Sequence, residues 1–174
     1  MRTGRCFRCI ATLTLAVLLL LLPAPARGEE DEPQTGAAGA VLMEAGTRMV
    51  LMAKEAHKKL PMASTTKVMT ALIAIEHCSL EEMVEVPAEA YGVEGSSMYL
   101  QKGEKLSMRD LLYGLMLVSG NDAAIAIAVH VGGSLEGFTA LMNQKAYVLG
   151  ALNTHFVTPN GLPGDDHYTT AYDL

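Results

Sequence analysis

The sequence has no tryptophan, three phenylalanines and six tyrosines, so aromatic residues make up only 5% of its 174 positions. Charge is also sparse, at 18%, and the balance is acidic: 13 Lys plus Arg stand against 19 Asp plus Glu, a formal charge of −6. A chain short of clustered Lys and Arg is poorly suited to neutralising a phosphate backbone, so nucleic acid is not an expected partner. Cysteine is scarce too. Cys6 and Cys9 lie near the start and Cys78 stands alone in the remainder. A disulfide-stapled mini-domain is thereby excluded; the fold must rest on a hydrophobic core. The five histidines (His57, His77, His130, His155 and His167) are scattered, with no H-E-x-x-H or close carboxylate pairing, so no metal is expected and each reads as a surface or core residue. Eleven methionines read as core filling.

Half the residues are hydrophobic, which excludes a disordered chain and fits one globular domain with an appended segment. That segment is at the start. Arg2, Arg5 and Arg8 precede a predominantly apolar run of 13 residues, Ile10 to Leu22, followed by Ala24-Pro25-Ala26. A spanning helix needs roughly 20 apolar residues. The order of positive, apolar and small-residue regions predicts a cleaved export signal over residues 1–26. Cleavage leaves 10 basic against 19 acidic residues, a charge of −9. Residues 27–36, with Pro33 and Gly36, read as a flexible mature N-terminus.

Two short apolar runs, 37–43 and 48–53, flank Glu44-Ala45-Gly46-Thr47 and predict a β-hairpin with Gly46 at the turn. Residues 64–77 are apolar without Gly or Pro and predict a buried helix. Loop with short strands is expected over 81–103. Ser107 and Asp110 have the form of a capping box opening a helix to about Val118. A second helix is expected over about 122–131, a third from the Ser134 cap to Leu149, and another beginning at Tyr168. The fold class is α/β (α+β): an antiparallel sheet packed against a helical cluster. The sheet is short of strands, because one hairpin alone is marginal in water.

Two polar groups interrupt the apolar segments. In Ala63-Ser64-Thr65-Thr66-Lys67, a helix places Lys67 on the same face as Ser64. A lysine whose pKa is depressed by burial can take a serine proton. The same residues equally describe a helix cap with a snorkelling lysine. Fifty-five residues on, Ser119-Gly120-Asn121 breaks two helices and can project a hydroxyl and a carboxamide into a cleft, or serve as a plain inter-helix turn.

Taken together with their surroundings, these segments resemble a known family. The stretch from Leu60 to Leu72, then Asp110-Leu111-Leu112-Tyr113-Gly114, Val118 to Ala124, Thr154-His155-Phe156, Asn160-Gly161-Leu162 and His167 to Leu174 are similar to the low-molecular-mass penicillin-binding proteins. More narrowly, they resemble the serine-type D-alanyl-D-alanine carboxypeptidases, over about residues 37–174. The resemblance implies a penicillin-binding-protein or β-lactamase-like fold without cofactor. It implies acylation of Ser64 by the penultimate D-alanine of a peptidoglycan stem peptide ending in D-Ala-D-Ala. Lys67 would be the general base, Ser119 the proton relay to the leaving amine, and Asn121 the holder of Lys67 and the substrate amide. β-Lactams would be covalent inhibitors, and the protein would face the cell wall outside the bacterial cytoplasmic membrane.

The pattern departs from the family in one respect. The third motif, K-T-G on a later strand, is missing: the only lysine after Asn121 is Lys145, followed by Ala146-Tyr147. The sequence therefore reads as an N-terminal portion, inactive or nearly so, without the C-terminal region through which relatives associate peripherally with a membrane. Two other readings are a non-catalytic binding protein on the same half-fold and a class A-like β-lactamase. The second needs a deacylating glutamate, and Glu136, early in a helix, is the only Glu after Asn121.

Overall fold

The structure is a computed structural model describing residues 35–174. The expected export signal, and all but the last two residues of the expected mature N-terminus, lie outside the described residues.

The chain opens with a hairpin of β1 (Ala40–Met43) and β2 (Val50–Lys54). They pair antiparallel, Ala40 opposite Lys54, with a bulge at Leu42/Met43. The turn is built differently from the expectation. Gly46 does not take a left-handed conformation; Arg48 does, at φ 59°. The reason is Glu44, whose carboxylate accepts from Gly46 N (2.9 Å), Thr47 N (2.5 Å) and Thr47 Oγ1 (2.6 Å). Those bonds fix the turn's first half and move the chain reversal to Arg48. Leu42, Val50 and Leu51 of the hairpin are exposed.

A 3-10 turn, Ala63–Thr65, leads into α1 (Thr66–His77). Ser64 therefore sits in the turn before the α-helix and not within it, because Ala63 takes φ 44° and tightens the entry. A second two-stranded sheet follows, β3 (Met83–Glu85) antiparallel to β4 (Lys105–Ser107), with Val84 opposite Leu106. The expected single sheet is thus two separate two-stranded sheets among the described residues.

Three helices complete the unit: α2 (Met108–Leu117), α3 (Asn121–Gly132) and α4 (Leu135–Leu149). The Ser107 cap forms, Oγ accepting from Asp110 N at 3.1 Å and donating to Asp110 Oδ2 at 2.6 Å. The reciprocal bond is thus between side chains. Ser134 Oγ accepts from Gly137 N at 3.0 Å and opens α4. A Cβ on Gly132 would lie 2.4 Å from Phe138 N, so only glycine lets α3 turn so closely into α4.

Helix α3 is the centre of the core. Every residue from Asn121 to Ala128 is buried, which explains its near-absence of polar side chains after Asp122. Around it pack Ile73 and Ala74 of α1, Met108, Leu111 and Leu115 of α2, Phe138 and Met142 of α4, and Val84 of β3. The small side chains Ala123, Ala124, Ala126 and Ala128 let these neighbours approach.

The segment 150–174 returns across the entry to α1 by two isolated antiparallel bridges, Leu60 with Thr169 and His155 with Tyr168. The expected helix from Tyr168 is therefore not formed there. Tyr168 and Thr169 are held extended, and a single bond from Leu174 N to the Thr170 carbonyl (3.0 Å) closes one turn. Among the described residues no single helix is long and apolar enough to cross a membrane.

Candidate active site

Three segments far apart in sequence meet at the N-terminus of α1. The turn before α1 presents Ser64 and the first turn of α1 carries Lys67. The break between α2 and α3 brings Ser119 and Asn121, and the 158–164 loop brings Asn160 and Gly161. All four residues singled out in the sequence lie within one hydrogen-bonded network.

Lys67 is its hub, only 2% exposed. Its Nζ lies 3.2 Å from Ser64 Oγ, 2.8 Å from Asn121 Oδ1 and 2.7 Å from the main-chain oxygen of Asn160. Ser119 Oγ donates to Ser64 Oγ at 2.9 Å. Burial lowers the Lys67 pKa from the ordinary lysine value, and among the described residues no carboxylate is bonded to Nζ to repay the lost hydration of the ammonium. In the neutral amine the two carbonyl-type acceptors, Asn121 Oδ1 and Asn160 O, take the two N–H bonds. The lone pair is then left facing the Ser64 hydroxyl.

Asn121 is itself fixed. Its Nδ2 donates to the Glu94 carbonyl at 2.6 Å, which sets the amide so that Oδ1 faces Lys67. Its backbone N–H donates to Ser96 O at 2.7 Å. Gly95 makes room for the amide, since a Cβ there would lie 2.8 Å from Nδ2.

Both hydroxyl-bearing turns hold strained backbone. Ala63, immediately before Ser64, has φ 44°, and Ser119 has φ 58°. Left-handed conformations cost a non-glycine residue roughly 1–2 kcal/mol each. They aim the Ser64 and Ser119 side chains at one another across the cleft. The Ser64 N–H belongs to the first turn of the helical segment, where backbone donors have no partner one turn back.

Several residues that sequence reasoning passed over support this constellation. Asp122 is buried and accepts from Ser97 Oγ, Met98 N, Leu100 N and Ala123 N at 2.6–3.0 Å. Burial alone would raise its carboxyl; the four hydrogen bonds outweigh that and hold it below the usual range. It ties the 96–100 loop to the start of α3. His167 is buried beside the site and its Nδ1 accepts from Val157 N at 3.1 Å. Its Nε2 must then carry the proton, and it donates to Thr66 Oγ1 at 2.9 Å. Burial, with a smaller push from His155, lowers the His167 pKa, consistent with the neutral ring these contacts require. Gly161 takes φ 86°, and a Cβ there would stand 1.9 Å from the Ala63 carbonyl. The Asn160-Gly161 dipeptide stood out in the sequence as part of the family resemblance. That its main-chain oxygen would reach Lys67 was not visible there, because a carbonyl has no residue type.

An open cavity of 330 Å³ adjoins the network, lined by Pro61, Ser64, Asn121, Asn160, Gly161 and His167 among others. That volume lies at the lower end of the roughly 300–1,000 Å³ typical of small-ligand pockets. The arrangement brings one hydroxyl within reach of a buried amine and sets a second hydroxyl beside it, the combination that nucleophilic catalysis by serine requires.

The family model for D-alanyl-D-alanine carboxypeptidases matches residues 27–174. The chain is 36% identical over 177 residues to D-alanyl-D-alanine carboxypeptidase DacF of Bacillus subtilis, covering 96% of this chain and 46% of that one. It is 37% identical over 155 residues to DacC of Escherichia coli, covering 83% and 39%. Among solved structures, a D-alanyl-D-alanine carboxypeptidase from Mycobacterium tuberculosis superposes with a TM-score of 0.79 at 34% identity, over 84% of this chain and 56% of that one. The DacD structure from Francisella tularensis gives 0.78 at 40% identity, over 82% and 36%. The chain thus spans less than half the length of these curated relatives.

Proposed function

The chain belongs to the D-alanyl-D-alanine carboxypeptidase family, and from that premise we propose that its residues form the nucleophilic half of a serine-type carboxypeptidase site. The substrate is a peptidoglycan stem peptide ending in D-Ala-D-Ala. The observation that carries this reading is the placement of a buried, hydration-poor Lys67 Nζ 3.2 Å from Ser64 Oγ, with both remaining N–H directions already taken by carbonyl-type oxygens.

In the acylation step Lys67 Nζ takes the Ser64 hydroxyl proton as Oγ attacks the penultimate D-alanine carbonyl. The Oγ–C bond forms and a tetrahedral oxyanion develops, to which the Ser64 N–H is one donor. The C–N bond then breaks. With Ser64 Oγ now bonded to the substrate carbon and unable to carry a proton, the proton held on Lys67 passes through the Ser119 hydroxyl to the leaving amine, and D-alanine departs. Water then hydrolyses the Ser64 ester. The second N–H of the Asn121 amide, not used by Glu94, binds the substrate's amide oxygen in this reading. A β-lactam enters the same step, but its leaving amine stays tethered, so the ester is long-lived.

The rest of the reading follows from the same premise. Residues 1–26 serve as an export signal, residues 37–174 are part of the catalytic domain, and the protein works on the cell-wall side of the bacterial membrane, with any membrane association peripheral. The K-T-G strand of the family supplies the carboxylate clamp and the second oxyanion donor. Without one such donor acylation slows by roughly 10²–10³. Residues 1–174 alone are therefore nearly inactive.

Intact-mass spectrometry after incubation with benzylpenicillin tests this. A chimera continuing residue 174 into the C-terminal half of the Bacillus DacF relative is expected to gain the full mass of the drug, and to lose that gain on Ser64→Ala. The 174-residue chain is expected to react at least 10²-fold more slowly. A folded chimera that gains no mass, or gains it without Ser64, overturns the proposal.

A further inference from the structure

At the opposite end of α1 from Ser64, three elements bring together side chains with no part in the network above. Cys78 follows the last residue of α1, Glu82 lies in the turn entering β3, and His130 is in the last turn of α3. The thiol sulfur, a Glu82 carboxylate oxygen and a His130 ring nitrogen all lie within 4.8 Å of one another. His130 Nε2 and Glu82 Oε1 are already 2.8 Å apart.

We propose that Cys78, Glu82 and His130 form a zinc site that cross-links the ends of α1 and α3 to the turn before β3.

The donor set selects the ion. A thiolate, an imidazole and one carboxylate are the ligands of Zn²⁺, whereas Ca²⁺ and Mg²⁺ require mostly oxygen. Thiolate and carboxylate together carry two negative charges, which a divalent ion neutralises. Bonds of about 2.0–2.3 Å place tetrahedral ligands about 3.3–3.7 Å apart. Bringing the sulfur in from within 4.8 Å therefore needs a side-chain adjustment of only about 1 Å.

The backbone under each ligand is already held. Cys78 N donates to Ala74 O (3.0 Å), Glu82 N to Ser79 O (3.0 Å), and Glu82 O accepts from Met108 N (2.8 Å). The nearby Glu81 is engaged by Arg109, so it does not compete for the ion. Cys78 is half-buried and the other two ligands are more open, which leaves a fourth position for water. Lys67 and Cys78 are separated by eleven residues of α1, about 16 Å of helix rise, so the ion has no reach to the Ser64 chemistry. Its effect is on stability. Spacings of four and forty-eight residues match no short metal motif, which is why the histidines looked scattered in the sequence.

Cobalt substitution of the full chain tests the site, with Cys6→Ser and Cys9→Ser leaving Cys78 as the sole thiol. One equivalent of Co²⁺ is expected to produce a thiolate-to-cobalt charge-transfer band that Zn²⁺ bleaches. Zn²⁺ is expected to raise the thermal midpoint of the same protein. Cys78→Ser should abolish the band, and His130→Ala or Glu82→Gln should weaken Zn²⁺ binding at least tenfold, with far-ultraviolet circular dichroism unchanged. A folded parent that gives no band overturns the proposal. So does a band and a midpoint rise that survive His130→Ala combined with Glu82→Gln, since the thiol would then be acting without them.

Discussion

Lys67 donates to the main-chain oxygen of Asn160 at 2.7 Å, a contact between residues 93 positions apart that fixes where the amine's remaining lone pair can point. Because burial lowers the Lys67 pKa, the free amine becomes available below the ordinary lysine value. β-Lactam acylation of Ser64 should therefore rise with pH and level off at an inflection below about 10.4. The stability consequence has a definite sign. A depressed folded-state pKa means that stability is fully present above about 10.4 and falls as pH drops through the folded value, since the unfolded chain binds the proton more tightly. Lys67→Met should remove that slope in denaturant titrations and cut acylation by roughly 10²–10⁴. An unchanged acylation rate in a folded Lys67→Met protein would count against the base assignment.

Gly161→Ala should separate the 158–164 loop from the turn that carries Ser64. The added methyl meets the Ala63 carbonyl at 1.9 Å, from a backbone with φ 86° that alanine resists. A loss of about 3 kcal/mol or more is expected in urea unfolding, with acylation falling because Asn160 O moves off Lys67. A neutral result would mean that the loop's approach to Ala63 is not required.

The helical part of this fold was readable because its signals are local. Ser107 and Ser134 cap where their hydroxyls reach Asp110 N and Gly137 N, and the Ala/Ile pattern of α3 matches its buried position. Ser64, Lys67, Ser119 and Asn121, singled out by residue type and motif, share one hydrogen-bond network. The misplacements share one cause, which is a distant or side-chain partner overriding a local preference. Glu44 displaced the turn from Gly46 to Arg48, and the bridges to Leu60 and His155 hold Thr169 and Tyr168 out of a helix. Asn160 was invisible as a site residue because its contribution to Lys67 is a backbone oxygen.

Asp122→Asn should destabilise the start of α3. Four donors converge on this carboxylate, and an asparagine turns one acceptor oxygen into an NH₂ facing them. The cost expected is about 1–3 kcal/mol, with faster amide exchange over 97–100. In the parent, the depressed carboxyl contributes stability that is present above about pH 3.9 and lost as pH falls through its folded value. The variant should lack that acid-side slope.

His167 gives a second acid-side slope at a higher pH. The ring accepts from Val157 N and so must stay neutral, and its pKa is lowered by burial and by His155. The stability it contributes is complete above about pH 6.5 and declines as pH falls through the folded value. Denaturation midpoints at pH 7.5 and 5.5 should differ in the parent, and the gap should narrow in His167→Gln. An identical gap in the variant would assign the pH dependence to other groups.

Ser119→Ala isolates the proton relay from the fold. The hydroxyl reaches only Ser64 Oγ among the described residues, at 2.9 Å, so its removal leaves no buried polar group unpaired. The left-handed φ of 58° persists with alanine, and stability should change by less than about 0.5 kcal/mol. A relay for the leaving amine affects the bond-breaking step, whereas a residue that only positions Ser64 affects binding as well. Pre-steady-state acylation by benzylpenicillin should therefore lose rate at saturation, by roughly 10²-fold or more, with the half-saturating concentration unchanged. A rise in that concentration at constant maximal rate would instead make Ser119 a binding group.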